Sequence, residues 1–257
     1  MSISSEEILM NKVLDASSNN IWDEMKKIRE SSEIEKGTIR RRWIWELIQN
    51  ASDCTPKNGN IDIKINYTNN RVIFSHNGLP FSYENLLDLI TQISSKQSSE
   101  EKKIGKFGTG FMSTHLLSEI VQIEGSFVQK NNKYTKLEFT VDRTGNEYSD
   151  IKENTKSMLE QLEILNKNQN ELKNCYEDTK FIYLIEDDED IIEAIKQGIK
   201  DLKETIPYVL AFNQNINSIT YNGSVYRKVK EVTSSRNERV QVVKIEGSDK
   251  NSELLIL

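Results

Sequence analysis

The stretch KIGKFGTGFMSTHLL, residues 103–117, places Gly105, Gly108 and Gly110 within six positions, directly ahead of a run with the apolar spacing of a buried helix. Glycine costs about 0.5–1 kcal/mol inside a helix, so in a chain with only 11 glycines the cluster answers a need other than propensity. Bare backbone leading into a helix aims several N–H groups at one point, and the helix start adds partial positive charge, so the stretch suits a phosphate. Glycines at helix starts also serve close packing, and the stretch alone does not separate the two uses. The Walker arrangement is excluded, because no Lys-Ser or Lys-Thr pair follows the last glycine. A second segment, ELIQNASD, sets Glu46 and Asn50 one helical turn apart with Asp53 at i+7. An Asn oxygen can be one ligand of a magnesium ion that completes its shell with water and phosphate, and a neighbouring Glu can act as general base on an attacking water. In isolation the same pair would also suit a solvated helix face.

The elements that must position these residues follow from periodicity. From Thr38 the apolar set Trp43, Ile44, Leu47, Ile48 and Ala51 makes one face of a helix, with Glu46, Asn50 and Asp53 on another. Trp43 and Trp45 fall on opposite sides, so at most one is core and the other is free to meet a partner surface. Residues 5–35 suit one or two amphipathic helices. IDIKINY and RVIFS read as a hairpin, SYENLLDLITQI as a helix capped by Ser82, and SSKQSSEEKK as a mobile polar loop. FMSTHLLSEI reads as helix, and VQIEGSFVQ and KYTKLEFTVDR as strands. A polar helical excursion over 150–175, a strand at TKFIYLIED, a helix from the EDDED cluster to PYVL, and a β-rich tail from Asn217 complete the chain. The last apolar run stops at the chain end without a turn, so the sequence reads as a fragment of something longer. No internal repeat is visible.

Composition narrows the classes. The chain has 257 residues, 36% apolar and 29% charged, with a formal charge of −6, which weighs against a domain whose main work is gripping nucleic acid. No run approaches the roughly 20 apolar residues of a membrane span, and the start lacks the blocks of a secretion signal, so a cytoplasmic location is expected. Cys54 and Cys175 are too few for a disulfide framework or a zinc site and read as structural thiols. EDDED reads as a solvated helix start in preference to a metal site, and His115 as a packed residue in preference to a catalytic one.

Taken together, ELIQNASD, SHNGLPF, IGKFGTGFMS and DTKFIYLIED occur in the order and at about the spacing of the four nucleotide-binding motifs of the GHKL ATPases. That superfamily includes the ninety-kilodalton heat-shock chaperones, type II topoisomerases, mismatch-repair clamps and histidine kinases. The third motif looks most like the chaperone branch, the second like the ATP-binding region of sacsin and of large bacterial relatives. The resemblance runs from Arg40 to Glu186. It implies an α+β fold, a two-layer sandwich of the Bergerat type with a mixed, mostly antiparallel sheet covered by helices on one face. It implies a domain over 1–205 and a β-rich extension or the start of a transducer-like domain over 206–257. By the same resemblance ATP and Mg2+ are the cofactors, Glu46 the general base and Asn50 the metal ligand. Asp53 would line the pocket, and Gly78 would let the adenine approach the backbone. Lys96 and Lys106 would meet phosphate charge, Gly105, Gly108 and Gly110 would wrap it with Phe107, Thr109 and Phe111 beside them, and Thr179 would lie near the adenine.

One departure stands out. The second motif usually begins with an Asp that accepts a hydrogen bond from the adenine amino group, whereas here His76 aligns, followed by Asn77. A neutral imidazole can accept through one nitrogen and a carboxamide through its oxygen, and a histidine that merely caps the turn is a third reading. The resemblance thus implies a slow ATPase in which residues 94–107 close over the nucleotide, with a nucleotide-dependent homodimer and downstream domains or partner proteins. It is expected to serve as the N-terminal motor of a larger bacterial protein in defence or quality control. The alternative is a nucleotide-controlled or chaperone-like binding module without meaningful turnover. A histidine kinase fits poorly, because neither His76 nor His115 sits in a dimerising phosphoacceptor helix.

Overall fold

In a computed structural model, the described residues are 5–31, 33–92, 109–168, 170, 172, 177–234, 237–248 and 252–256. Helix α1 spans Ser5–Glu30 and α2 Glu33–Asp53. Strands β1 (Ile61–Thr68) and β2 (Arg71–His76) form the hairpin expected around Asn69 and Asn70. A two-residue strand β3 (Phe81–Ser82) leads into α3 (Tyr83–Thr91). Its cap is Ser82, whose hydroxyl accepts from the Asn85 N–H while the Asn85 side chain reaches back to the Ser82 N–H. The short helix α4 (Thr109–Met112) runs into a 3-10 turn over Ser113–Leu116. Strands β4 (Ile120–Val128) and β5 (Tyr134–Asp142), helix α5 (Tyr148–Asn166), strand β6 (Thr179–Leu184) and helix α6 (Glu189–Phe212) follow. Strands β7 (Ile216–Tyr221), β8 (Ser224–Ser234), β9 (Asn237–Gly247) and β10 (Ser252–Ile256) close the chain.

Among the described residues all ten strands join one sheet, in the order β10-β9-β8-β7-β1-β2-β6-β4-β3, with β5 also paired to β4. Every pairing is antiparallel except β1 with β7 and β3 with β4. The fold is therefore α+β with a mixed, mostly antiparallel open sheet. Alternation buries one face: Ile61, Ile63 and Ile65 of β1, Val72, Phe74 and His76 of β2, and Thr179, Phe181 and Tyr183 of β6 point the same way. Helix α5 lies against β5, α2 against β1, and α6 against β7 to β10. Helix α6 crosses residue 206 without a break, burying Ile206 and Leu210.

The helix carrying Glu46 and Asn50 is fixed from both ends. Its apolar stripe, Trp43, Ile44, Leu47, Ile48 and Ala51, is buried as the spacing requires, while Trp45 is half-buried against the same core. The Trp43 indole N–H donates to the Ala194 carbonyl of α6 at 3.1 Å, and a Cβ at Gly198 would lie 2.5 Å from that nitrogen, so glycine sets the approach of α2 to α6. At the N-terminal end Arg40 and Lys36 meet the Asp190 carboxylate at 2.6 and 3.1 Å. At the C-terminal end the Asn213 amide donates to the Ser52 hydroxyl at 2.9 Å. The helix begins at Glu33, ahead of the expected Thr38, and continues through Gly37, where a Cβ would meet nothing within 4 Å. The run expected as one helix after Gly110 is instead four residues of α-helix and a 3-10 turn. Ser113 and Thr114 donate their hydroxyls to the carbonyls of Gly110 and Phe111, both at 2.8 Å, and tighten the chain there.

Candidate active site

Four chain segments that are remote in sequence meet around the C-terminal half of α2. Glu46 is half-buried, and its carboxylate lies against Gly110 at the start of α4 so closely that a Cβ there would be 2.5 Å from the Glu46 Cδ. One turn on, Asn50 is 6% exposed and its Nδ2 is buried without a hydrogen-bond partner. Asp53 is half-buried at the end of the helix. Immediately beyond it, the Cys54 carbonyl accepts from the Leu79 N–H at 2.7 Å. A Cβ on Gly78 would come within 2.7 Å of the same carbonyl oxygen, so only glycine lets this turn pass under the helix. Burial, with the nearby Asp53 charge second, pushes the Cys54 thiol up to about 12, which makes it an inert packing group. Cys175 lies outside the described residues.

The turn at Gly78 leads back to His76 at the end of β2. His76 is 3% exposed and stands directly opposite Thr179, the first residue of β6, which is 1% exposed with its Oγ1 unpartnered. The Gly78 N–H donates to His76 Nδ1 at 3.2 Å. Burial drives the imidazole down to about 4 against a weaker opposing pull from the Asp178 carboxylate, so the ring is neutral at pH 7. Phe111 closes the circuit, its ring 5.7 Å from that of Phe181 on β6. The links α2 to Gly78, His76 to Thr179, Phe111 to Phe181 and Gly110 to Glu46 thus join these segments into one chain of contacts.

Asn77 does not join this group. It is exposed, its Oδ1 accepts from the Asp62 N–H at 2.7 Å, and its Nδ2 donates to the Asp62 carboxylate at 3.3 Å. Thr109 opens α4 next to Gly110. Lys96, Gly105, Lys106, Phe107 and Gly108, with the polar loop 94–103, lie outside the described residues. His115 is fully enclosed and burial pushes it down to about 3, in keeping with a packed side chain. In the EDDED cluster, Asp188 caps α6 by accepting from the Asp190 and Ile191 N–H groups. A neighbour that the spacing alone could have flagged is Arg42, whose Nε donates to Glu46 Oε1 at 2.7 Å from four residues earlier on α2.

The family model for histidine kinase-, DNA gyrase B- and HSP90-like ATPases matches residues 40–172, just over half of the chain. The chain belongs to this ATPase family. Its matched span opens at Arg40 and contains Glu46, Asn50, His76, Gly78 and Gly110, and it stops ahead of Thr179, whose place in the site rests on its pairing with His76. No curated protein matches the chain. No helix among the described residues is long and apolar enough to cross a membrane.

The family implies ATP, ordinarily with Mg2+, and the residues fit such an ion. Mg2+ takes few protein ligands and completes its shell with phosphate and water, so one carboxamide oxygen beside the phosphates is a fitting contribution. The unsatisfied Asn50 carboxamide has that character, since a half-turn about its terminal bond exchanges nitrogen for oxygen.

Proposed function

We propose that the chain binds Mg-ATP in the region enclosed by α2, Gly78, Gly110 and Thr179 and hydrolyses it slowly, with Glu46 as general base and Asn50 as metal ligand. The observation that carries this reading is the contact of the Glu46 carboxylate with Gly110, one turn from the orphaned Asn50 amide. It brings a base and a metal-ligand candidate to the last glycine of the segment whose glycines suit phosphate. The ion would supply charge neutralisation on the phosphates. Glu46 would then take a proton from the attacking water, while His76, Thr179 and Gly78 receive the base. Asp53 and Phe111 border the site, and Lys96, Lys106 and the loop residues Gly105, Phe107, Gly108 and Thr109 would meet the phosphates as residues 94–107 close. Closure would promote a homodimer and transmit the nucleotide state to downstream domains or partner proteins.

Phosphate release and ATP affinity measured on the wild type and on Glu46→Ala test the assignment. The expected result is a loss of turnover of about 10²-fold or more with ATP binding changed less than about threefold, as suits removal of a general base. Equal turnover in both proteins would contradict it.

A second reading has one observation in its favour. The Arg42 guanidinium occupies Glu46 Oε1, the oxygen an attacking water would otherwise approach. If the pair persists with nucleotide bound, the domain acts as a nucleotide-controlled binding module, and Arg42→Ala would raise turnover.

A further inference from the structure

The hydrogen-bond polarity at His76 is fixed by its surroundings. In a neutral imidazole one ring nitrogen accepts and the other carries the proton. The Gly78 N–H takes the Nδ1 lone pair at 3.2 Å, so the proton resides on Nε2 and the ring can only donate from that side. The arrangement is hard to reverse. Gly78 is wedged between the Cys54 carbonyl and His76, with room for no Cβ, so its N–H stays where it is. Burial also opposes a second proton on the ring.

Opposite His76, Thr179 offers a buried hydroxyl without a partner, which can donate or accept as a ligand requires. The pair therefore presents one fixed donor and one adaptable group. A carboxylate in the position of His76 would present only acceptors. The 6-amino group of adenine is a donor, whereas a 6-oxopurine offers an acceptor at O6 and a donor at N1–H. The latter pattern matches the His76 Nε2–H and the Thr179 hydroxyl directly. Adenine meets the pair only with the contacts exchanged, its amino group donating to the Thr179 hydroxyl and a ring nitrogen accepting from His76 Nε2–H.

On this basis, and resting on the nucleotide site proposed above, we infer that His76 reads position 6 of the purine as a hydrogen-bond donor. The site therefore takes 6-oxopurine nucleoside triphosphates at least as tightly as ATP. Sites that hydrogen-bond a substrate group reject analogues of the wrong polarity strongly, because buried polar atoms are left unpaired. A single histidine thus changes which nucleotide the pocket accepts.

Calorimetric titration of the whole chain with Mg-ITP and Mg-ATP tests this without any substitution, since inosine differs from adenosine only at position 6 and N1. The expected result is an ITP dissociation constant equal to or below that of ATP. His76→Asp, which restores an acceptor, is expected to move the ratio at least tenfold toward ATP, and His76→Gln, whose carboxamide can turn either way, to bring it near one. If the wild type binds ATP threefold or more tightly than ITP, the inference is overturned while the nucleotide site stands. If neither nucleotide binds, both fall. If the ratio is the same in the wild type and in a folded His76→Asp, His76 does not read the base and the inference is likewise overturned.

Discussion

At the scale of single residues, the contact between Glu46 and Gly110 has a measurable consequence. A methyl group at position 110 would collide with the end of a flexible side chain, so the carboxylate swings away at little cost to folding. Gly110→Ala is therefore expected to change stability by no more than about 1 kcal/mol, the scale of glycine's backbone effects, while the proposed turnover falls at least tenfold because the proposed base is displaced. Thermal melting alongside phosphate release checks both halves. The two histidines make a second prediction. Their folded values, about 4 for His76 and about 3 for His115, lie below the 6.5 of an exposed imidazole. Between these values the unfolded chain binds more protons than the folded one, so the stability they contribute is complete above pH 6.5 and is lost as the pH falls toward 4. At pH 5 each costs about 2 kcal/mol, from 1.36 kcal/mol per pH unit. Urea unfolding at pH 7 and 5 would show the drop, and His76→Asn would roughly halve it; a pH-independent stability in that window would count against both burials. At this scale Glu46, Asn50, His76 and Thr179 were legible as candidates because their types carry chemistry at motif spacing. The engagement of Asn77 with Asp62 was not, since the partner lies 15 residues away on the neighbouring strand and nothing in HNG distinguishes an inward from an outward amide.

At the scale of elements, α2 is the part that matters, and its position depends on α6. The rigid indole of Trp43 lies where a Gly198 side chain would be, with ring atoms at 2.5 and 2.8 Å from a Cβ. Gly198→Ala gains up to about 1 kcal/mol of helix propensity but must push the two helices apart, an overpacking cost of about 1–3 kcal/mol. The expected balance is a destabilised domain with weakened nucleotide affinity, measured by chemical denaturation and calorimetry; a stabilised variant would show that the α2–α6 contact is loose. Asp190→Asn, by contrast, removes an exposed pairing with Lys36 and Arg40 and should cost less than about 1 kcal/mol. Element types were readable wherever the apolar period was sustained, as in the stripe of α2 and the alternation of β1 and β6. The misread boundaries have local causes. Gly37 faces open space and does not break the helix, and the hydroxyls of Ser113 and Thr114 convert an expected helix into a 3-10 turn. β3 escaped notice because two residues carry no period.

At the scale of the whole molecule, the sheet joins parts of the chain that periodicity cannot connect. β7 pairs in parallel with β1 across more than 150 residues, and that pairing carries β8 to β10 into the same sheet. A sequence shows that such strands exist but not which edge they seek, because the register is decided by packing of α6 across them. Deleting residues 206–257 would remove Ile206, Leu210 and Ala211 from the core and strip β1 of its β7 neighbour, exposing Ile61 and Ile63 at the sheet edge. The shortened chain is expected to lose cooperative melting, whereas a sharp transition within a few degrees of the full chain would show that the first 205 residues fold alone. The convergence of the four segments is likewise a property of the whole, since Gly78 and Gly110 lie against the α2 end and Thr179 joins them only through the pairing of β6 with His76 on β2. We propose that this convergence holds a metal-bound nucleoside triphosphate. Calorimetry of the wild type and Asn50→Ala at matched Mg-ATP concentrations tests it most directly. Saturable one-site binding in the wild type, weakened at least tenfold in a folded Asn50→Ala, is the predicted result; no binding heat in the wild type, or equal affinity in both proteins, would contradict it.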